Sequence, residues 1–277
     1  MHGGDCRDAL FVTARDIDPA LILTDIPVLP VAPILQATEG FMQSTMYCRR
    51  GYLQKRYGFG FDGYSHCGQA DSTHQAPDDL LHTFVFSDAY CPEQYPQAFQ
   101  PYIRESWPTL TRQLRRLETA MLDALPVDLT HWYQQSVGHM MSANYYPPQQ
   151  HFNAVAAGNT RLSAHPDVSL FTVFPFGLDS AFEYEDRHGQ WHPAPETDTM
   201  IAFPGYLLEW MSDGRIKALN HRVRLDADPA RKRYSFAVFS IPMPDATVSR
   251  VPLAPGESLL HLTAQAYFEQ YGSLWDY

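Results

Sequence analysis

Cysteine is scarce in this 277-residue chain, and long apolar runs are absent from it. The four cysteines, at positions 6, 48, 67 and 91, fall in the first third and form no Cys-x-x-Cys pair. This pattern favours reduced thiols in a cytosolic protein, with disulfides as the alternative. The amino terminus lacks a signal peptide's basic flank and apolar core, and no run approaches the roughly 20 apolar residues that cross a bilayer. We therefore expect a cytoplasmic protein without a membrane partner.

Basic residues are also few: 20 Lys and Arg stand against 31 Asp and Glu, for a formal charge of −11. This balance argues against a nucleic-acid partner, because phosphates require a basic surface. The chain has no P-loop, no Gly-x-Ser-x-Gly and no His-Glu-x-x-His motif. GFGFDG (58–63) matches Gly-x-Gly-x-x-Gly, but neither a buried strand before it nor a helix after it is predicted, so we reject a dinucleotide site.

The first half of the chain predicts mainly helices, as one region (1–130) of a single domain spanning 1–277. We expect an extended lead-in strand within residues 1–30, a helix over about 34–55 and a loop or hairpin segment over 57–80. The stretch WPTLTRQLRRLETAMLDAL (107–125) has apolar residues in steps of three and four, which predicts a helix packed on a core. The members of this stripe are Leu110, Leu114, Leu117, Met121 and Leu125.

From about residue 137 the pattern changes to short runs of Val, Phe, Tyr and Leu separated by turns. Strands at this spacing indicate an antiparallel sandwich or barrel, with its core over 137–245. Helical spacing returns over about 256–272, within a predicted C-terminal helical region, 250–277. The fold class predicted is therefore mainly β with flanking helices.

Three groups in the β-rich half carry ligand chemistry. His165 and Asp167 are two residues apart, so in an extended segment they point to the same face. His221 lies 54 residues beyond Asp167 in another strand-like run. Two His and one carboxylate on a rigid face form the facial triad of non-haem Fe(II) oxygenases. Arg233 and Ser235 follow and also share a face, and together they suit a carboxylate ligand.

This ordered signature resembles that of the 2-oxoglutarate/Fe(II)-dependent oxygenases, and the surrounding sequence resembles their isopenicillin N synthase-like branch. The resemblance is strong over 137–245, weaker over 92–125 and only general before residue 90. The stretches that carry it are NYYPP (144–148), RLSAHPDVSLFTVF (161–174), FEYEDRHGQWHPA (182–194), NHRVRL (220–225) and KRYSFAVFSIPMP (232–244).

The resemblance implies a double-stranded β-helix (jelly roll) with an N-terminal helical buttress and a C-terminal helix. It implies that His165, Asp167 and His221 ligate Fe(II). It further implies that Arg233 and Ser235 hold the distal carboxylate of 2-oxoglutarate, with Tyr146 and Asn144 as additional co-substrate contacts. The implied reaction uses O₂, converts 2-oxoglutarate to succinate and oxidises a small-molecule substrate.

The chain departs from its relatives at two places. Pro166 stands where they often carry Thr, and a proline is tolerated at the start of a strand. Tyr206 stands where they commonly carry Asp after the Gly, so substrate contacts there are open. Because the carboxylate of Asp167 is present, halogenation is disfavoured. Further pocket candidates, each equally compatible with a core position, are Met140, Ser142, Tyr145, Phe174, Glu183, Phe203 and Trp210.

Several alternatives stay open from the sequence. Hydroxylation is the favoured outcome, while desaturation, cyclisation, epoxidation and demethylation use the same iron. One rival is an O₂-dependent iron oxidase that does not use 2-oxoglutarate. A rival of another class is a non-catalytic jelly-roll binding protein, and a third is a zinc hydrolase. The remaining histidines (66, 74, 82, 131, 139, 151, 188, 192 and 261) are interpreted as surface or core residues, and the oligomeric state is not set by the pattern.

Overall fold

A computed structural model of the chain describes residues 21–67, 79–151, 160–251 and 260–275. Thirteen strands are present in these residues. Their bounds are β1 Ile22–Pro27, β2 Gly63–Ser65, β3 His82–Ser87, β4 Val137–Tyr146, β5 Thr160–His165, β6 Phe171–Phe174, β7 Phe182–Glu185, β8 Trp191–Pro193, β9 Thr199–Pro204, β10 His221–Arg224, β11 Arg233–Pro242, β12 Thr247–Ser249 and β13 His261–Thr263.

Seven α-helices accompany the strands in the same described residues. Their bounds are α1 Ala32–Gln43, α2 Met46–Arg50, α3 Gln100–Glu105, α4 Trp107–Asp123, α5 Thr130–Ser136, α6 Tyr206–Met211 and α7 Ala264–Gly272. None of the described helices is long and apolar enough to span a membrane.

Two antiparallel sheets form the predicted jelly roll. The larger has the strand order β1-β9-β6-β11-β4-β3-β2 and the smaller the order β5-β10-β7-β8. The longest pairing joins β11 to β4 without a break, from Arg233 opposite Tyr146 to Pro242 opposite Val137. Aromatic rings on facing strands, such as Phe174 and Phe182 with centroids 5.4 Å apart, pack the two sheets together.

The N-terminal helices cover the outer face of the larger sheet, as the helical buttress predicts. Strand β3 alternates: Thr83 and Val85 face the space between the sheets, while Phe84 and Phe86 face the helices and contact Phe99. Helix α4 buries the predicted apolar stripe through Leu110, Leu114, Leu117 and Met121. Leu125 lies just beyond the helix and is half-buried.

Three element predictions needed correction. The helix expected over 34–55 is broken, because Ser44 is extended and Thr45 begins α2 by accepting a hydrogen bond from the Cys48 amide. One of the short apolar runs that indicate strands from about residue 137 on, residues 199–211, is a strand only as far as Pro204 and continues after Gly205 as α6. A Cβ on Gly205 would lie 2.3 Å from the Ser169 carbonyl oxygen, so only glycine allows this turn.

The third correction concerns the C-terminal helix, which begins later than residue 256. Thr263 caps α7 through its side chain, and β13 precedes it.

The expected lead-in strand is β1, paired with β9. Within 57–80, residues 63–65 form β2, which pairs with β3 beyond the segment. Parts of these predictions, at 1–20, 68–78, 252–259 and 276–277, lie outside the described residues, as does His74.

An ionic network centred on the buried side chains of His139 and Glu118 fastens α4 to the larger sheet. His139 of β4 lies with its Nε2 atom 3.0 Å from a Glu118 carboxylate oxygen, and Tyr133 donates to the same carboxylate. Asp88 accepts a hydrogen bond from the His139 amide. Burial lowers the pKa of His139, but the carboxylates of Glu118 and Asp88 outweigh it and raise that pKa to about 9.

This network predicts a pH dependence of stability. Because the folded pKa of His139 exceeds the ordinary value of 6.5, its contribution is complete below about pH 6.5 and is lost as the pH rises through about 9. Relative to His139→Gln, the wild type should lose roughly 3 kcal/mol of unfolding free energy between those limits, measured by urea denaturation. The exposed His131→Gln is the matched control and should follow the wild type. A constant difference between wild type and His139→Gln across this range would contradict the assignment.

Candidate active site

The three predicted metal ligands converge at one point between the sheets. His165 ends β5, His221 begins β10 directly opposite it, and Asp167 lies just after β5. The Oδ1 atom of Asp167 is 3.6 Å from Nε2 of His165 and 3.7 Å from Nε2 of His221. One ligand atom from each residue lies within 4.8 Å of the others, and no other group of this kind occurs among the described residues. The expectation that His165 and Asp167 share a face of one strand was incomplete, since Asp167 is past the strand end.

Neighbouring groups orient each of these side chains. Nδ1 of His165 donates to the Ser163 carbonyl at 2.7 Å, and Nδ1 of His221 lies 3.3 Å from the Leu219 carbonyl. A carbonyl only accepts, so Nδ1 carries a proton in both rings, and Nε2 is the nitrogen directed toward Asp167 as a metal-ligand atom. Thr172 donates to Oδ2 of Asp167 at 2.7 Å, which leaves Oδ1 directed at the two imidazoles.

The protonation states favour a cation. Burial, the largest effect, lowers the pKa of His221 to about 4, so its ring is neutral near pH 7. Burial alone would raise the pKa of Asp167, but its contacts with His221, His165 and Thr172 hold that pKa below the ordinary value. Burial alone would lower the pKa of His165, but Asp167 and the Ser163 carbonyl raise it above the ordinary value, so a metal would have to displace a proton from this ring. Two imidazoles and one carboxylate are the donor set of a facial Fe(II) site. The residues therefore fit the metal that the sequence implies.

Arg233 lies at one end of the same cavity. Its Nε donates to both carboxylate oxygens of Asp179, at 3.0 and 2.9 Å, and its guanidinium lies 4.8 Å above the ring of Tyr146. Burial would raise the pKa of Asp179, but Arg233 keeps it below its ordinary value. The Nη1 atom of Arg233 is buried without a hydrogen-bond partner. An unpaired buried donor is costly, so this atom fits a ligand carboxylate.

Asn144 and Ser235 are paired across β4 and β11 beside Arg233. The Oδ1 atom of Asn144 accepts hydrogen bonds from Thr83 at 2.8 Å and from Ser142 at 2.9 Å. These two bonds fix the amide orientation, so that Nδ2 lies 3.4 Å from the Ser235 hydroxyl. This part of the cavity therefore presents donors rather than acceptors.

One cavity contains all seven residues singled out from the sequence as metal or co-substrate contacts. They are His165, Asp167, His221, Arg233, Ser235, Tyr146 and Asn144. Of the further candidates, Met140, Ser142 and Phe174 line it as well.

The other four candidates do not line this cavity. Tyr145 stacks on Tyr234, and Glu183 pairs with Arg222. Phe203 packs against the ring of His221, and Trp210 packs beside Tyr267.

Sequence reasoning missed five residues that border or orient the site: Phe61, Thr83, Thr172, Asp179 and Tyr271. Thr172 had a usable signal, since it follows Asp167 by five residues within the resembling stretch. Thr83 and Phe61 come from the N-terminal half, where the resemblance is only general. Asp179 and Tyr271 had no signal in pattern or spacing.

Comparison with known proteins agrees with this geometry. The family model for the 2OG-Fe(II) oxygenase superfamily matches residues 137–242. A probable flavonol synthase 5 of Arabidopsis thaliana is 27% identical over 167 residues, covering 57% of this chain and 49% of the relative. A bifunctional coumaroyl CoA and feruloyl CoA ortho-hydroxylase of Ipomoea batatas is 26% identical over 186 residues, covering 65% and 50%. The chain thus spans about half the length of these curated relatives.

Solved structures share the fold. A full-length Neurospora crassa protein, in complex with alpha-KG and 5-formyluracil, superposes with a TM-score of 0.67 at 18% identity, covering 92% of this chain and 85% of that one. JOX2, in complex with 2OG, Fe and JA, has a TM-score of 0.67 at 18% identity, covering 94% and 78%. The expected jelly roll is confirmed, and these neighbours were crystallised with the expected cofactors, 2-oxoglutarate and, for JOX2, iron. Residues 137–242 are therefore similar to the 2OG-Fe(II) oxygenase superfamily in sequence, and the described residues share the fold of its solved members.

Proposed function

We propose that this protein is an Fe(II)- and 2-oxoglutarate-dependent dioxygenase that oxidises a small molecule. The observation that carries the proposal is the convergence of His165, Asp167 and His221 in a cavity that also contains the unpaired Nη1 of Arg233. A metal centre and a buried carboxylate-binding group in one cavity match the two requirements of this reaction.

Each residue has a defined part in the proposed reaction. His165, Asp167 and His221 hold the iron, while Arg233 and Ser235 hold the distal carboxylate of 2-oxoglutarate, with Tyr146 and Asn144 beside it. When bound, iron and 2-oxoglutarate supply the oxidising chemistry, with O₂ consumed and succinate released. The protein orients both reactants and excludes water, since the three candidate ligands are each at most 9% exposed.

Hydroxylation is the proposed outcome, and the hydroxylase among the relatives supports it. We also propose a cytoplasmic location, which the free thiols of Cys48, Cys67 and Cys91 support. In the alternative of an oxidase without 2-oxoglutarate, Nη1 of Arg233 would bind a carboxylate of the substrate instead, so succinate release decides between the two. A non-catalytic binding protein would have no need of three pre-oriented ligand atoms.

The proposal predicts iron-dependent conversion of 2-oxoglutarate. Anaerobic addition of Fe(II) and 2-oxoglutarate should produce a weak visible charge-transfer band, and admission of air should release succinate. Asp167→Ala should abolish both signals because it removes the carboxylate ligand, whereas the exposed Asp123→Ala should retain both. A wild-type protein that binds iron and releases no succinate would disprove the use of 2-oxoglutarate. Succinate release by Asp167→Ala would disprove the metal site.

The hydrogen bond from Thr172 to Asp167 should contribute to metal affinity. Replacing Thr172 by Val removes the donor to Oδ2 of Asp167 with little change in shape. The dissociation constant for Fe(II) or Co(II), measured by anaerobic titration, should rise by about 10- to 100-fold. Thr172→Ser keeps the hydroxyl and should stay near the wild-type value. Equal metal affinity in Thr172→Val and Thr172→Ser would refute this positioning role.

The hydrogen bond from Thr83 to Asn144 should affect the affinity for 2-oxoglutarate but not the affinity for the metal. Thr83→Val removes one of the two bonds that orient the Asn144 amide, so the dissociation constant of 2-oxoglutarate should rise by about 3- to 10-fold. Metal affinity should not change, and Thr83→Ser should restore binding. The test is titration of 2-oxoglutarate into the metal-loaded protein. A parallel loss of metal affinity would mean that the substitution disturbs the whole sheet.

A further inference from the structure

We propose that the cavity end remote from Arg233 binds an uncharged, mainly hydrocarbon part of the substrate, and that Phe61 and Tyr271 form its wall. This inference rests on the proposed function, because it assigns the co-substrate to the Arg233 end. Its first basis is a change of polarity along three neighbouring strands, β3, β4 and β11, whose inward residues line the cavity.

The polarity change follows from the strand register. At one end, Arg233 lies opposite Tyr146 and Ser235 opposite Asn144. Further along the same pair, Phe239 lies opposite Met140, and Val85 of β3 lies opposite Ser142. Because alternate residues face the same side, the donors of β4 and β11 collect at the Arg233 end, where Leu81, Leu162 and Val223 also pack against Tyr146. The remote end lacks such donors among the described lining residues.

The polar groups at the apolar end are already engaged. The Ser142 hydroxyl donates to Asn144, and the Tyr271 hydroxyl donates to the Pro166 carbonyl at 2.8 Å. The other described lining residues there are Phe61, Val85, Met140, Val168, Ala237 and Phe239, none of them ionisable. A charged or strongly polar substrate group placed here would lose its hydration without gaining a partner, which costs binding free energy.

The wall comes from GFGFDG, the segment rejected above as a nucleotide motif. Gly60 and Gly63 have positive φ, and a Cβ on Gly63 would lie 2.7 Å from the backbone of Gln54. The buried carboxylate of Asp62 accepts hydrogen bonds from Tyr95 and Ser87, which fixes the segment. The motif thus serves to hold a rigid loop.

Between these residues, Phe61 points into the cavity and packs on helix α7. Its ring lies 5.3 Å from that of Phe268 and 5.8 Å from that of Tyr271. Helix α7 is itself anchored, because Tyr267 donates to the Val168 carbonyl at 2.5 Å. Tyr271 bonds to Pro166, the residue between two candidate metal ligands. The apolar wall therefore adjoins the metal centre, where the oxidised group of the substrate must be held.

The test compares three probes with one ring system: naphthalene, naphthalene-2-carboxylate and naphthalen-2-ylmethylammonium. Each is titrated into the full chain loaded with Zn(II) and saturating 2-oxoglutarate, and binding is followed by saturation-transfer NMR of the probe. We expect naphthalene to bind at least about tenfold more tightly than either charged probe. Charged probes that bind as well as naphthalene, or naphthalene that does not bind, would overturn the inference.

Two variants locate the binding. Phe61→Ala should weaken naphthalene binding by about tenfold. Phe59→Ala is the matched control, because Phe59 contacts the same Phe268 ring but does not line the cavity. Thermal melting verifies that both variants fold. Equal losses in both would assign the effect to loop packing and overturn the role of Phe61.

Failure of this inference is distinguishable from failure of the proposed function. Binding of Zn(II) and 2-oxoglutarate is measured first, without a probe. If both bind but naphthalene shows no preference, the substrate class is wrong while the proposed function stands. If neither binds, the proposed function fails, and the probe titrations on the metal-free chain still decide whether the cavity selects uncharged rings.

Discussion

The pairing of β10 with β5 is the constraint on which the site depends. It places His221 opposite His165 across a gap of 56 positions in the chain. A shift of one residue in this register would turn His221 to the other face of the sheet, because side chains alternate along a strand. The larger sheet then needs only to present Arg233 and its neighbours from the opposite side of the cavity. The unbroken β4–β11 pairing does this, since it aligns the co-substrate residues in two adjacent cross-strand pairs.

Much of this arrangement could be predicted from the sequence, for physical reasons. Apolar alternation and turns indicate a β sandwich, and helical periodicity identifies α4 through Leu110, Leu114 and Leu117. The order and spacing of His165, Asp167 and His221 predict the metal site, because two His and one carboxylate in this arrangement are typical of non-haem iron sites. Capping residues and glycines were weaker signals of where elements begin and end. Periodicity alone would continue one helix through Thr45 and one strand through Gly205, where the structure has breaks.

The rest depends on contacts between distant segments, which no local pattern records. Leu162 and His165 both line the cavity although they are three residues apart, because the register of β5 against β10 shifts between them. An extra residue in one strand re-aims the side chains that follow it. Asp179 contacts Arg233 through a turn, and Thr83 reaches Asn144 from a strand 61 residues earlier. Each of these contacts exists only once the sheets have formed.

The two ends of the cavity are built from different parts of the chain, and this division has a physical consequence. The metal ligands and donors belong to the jelly roll, where strand register holds them to fixed positions. Phe61 and Tyr271 come from an N-terminal loop and the last helix, which attach to the sheets through a few side chains such as Asp62 and Tyr267. Phe61 contacts helix α7 and not a candidate iron ligand, so a substitution there can alter the shape of the apolar end while leaving those ligands in place. Tyr267 and Tyr271 instead bond to the backbone on either side of Asp167. In the proposed enzyme, the shape of the apolar end can therefore change independently of the metal site at Phe61 but not at these two tyrosines.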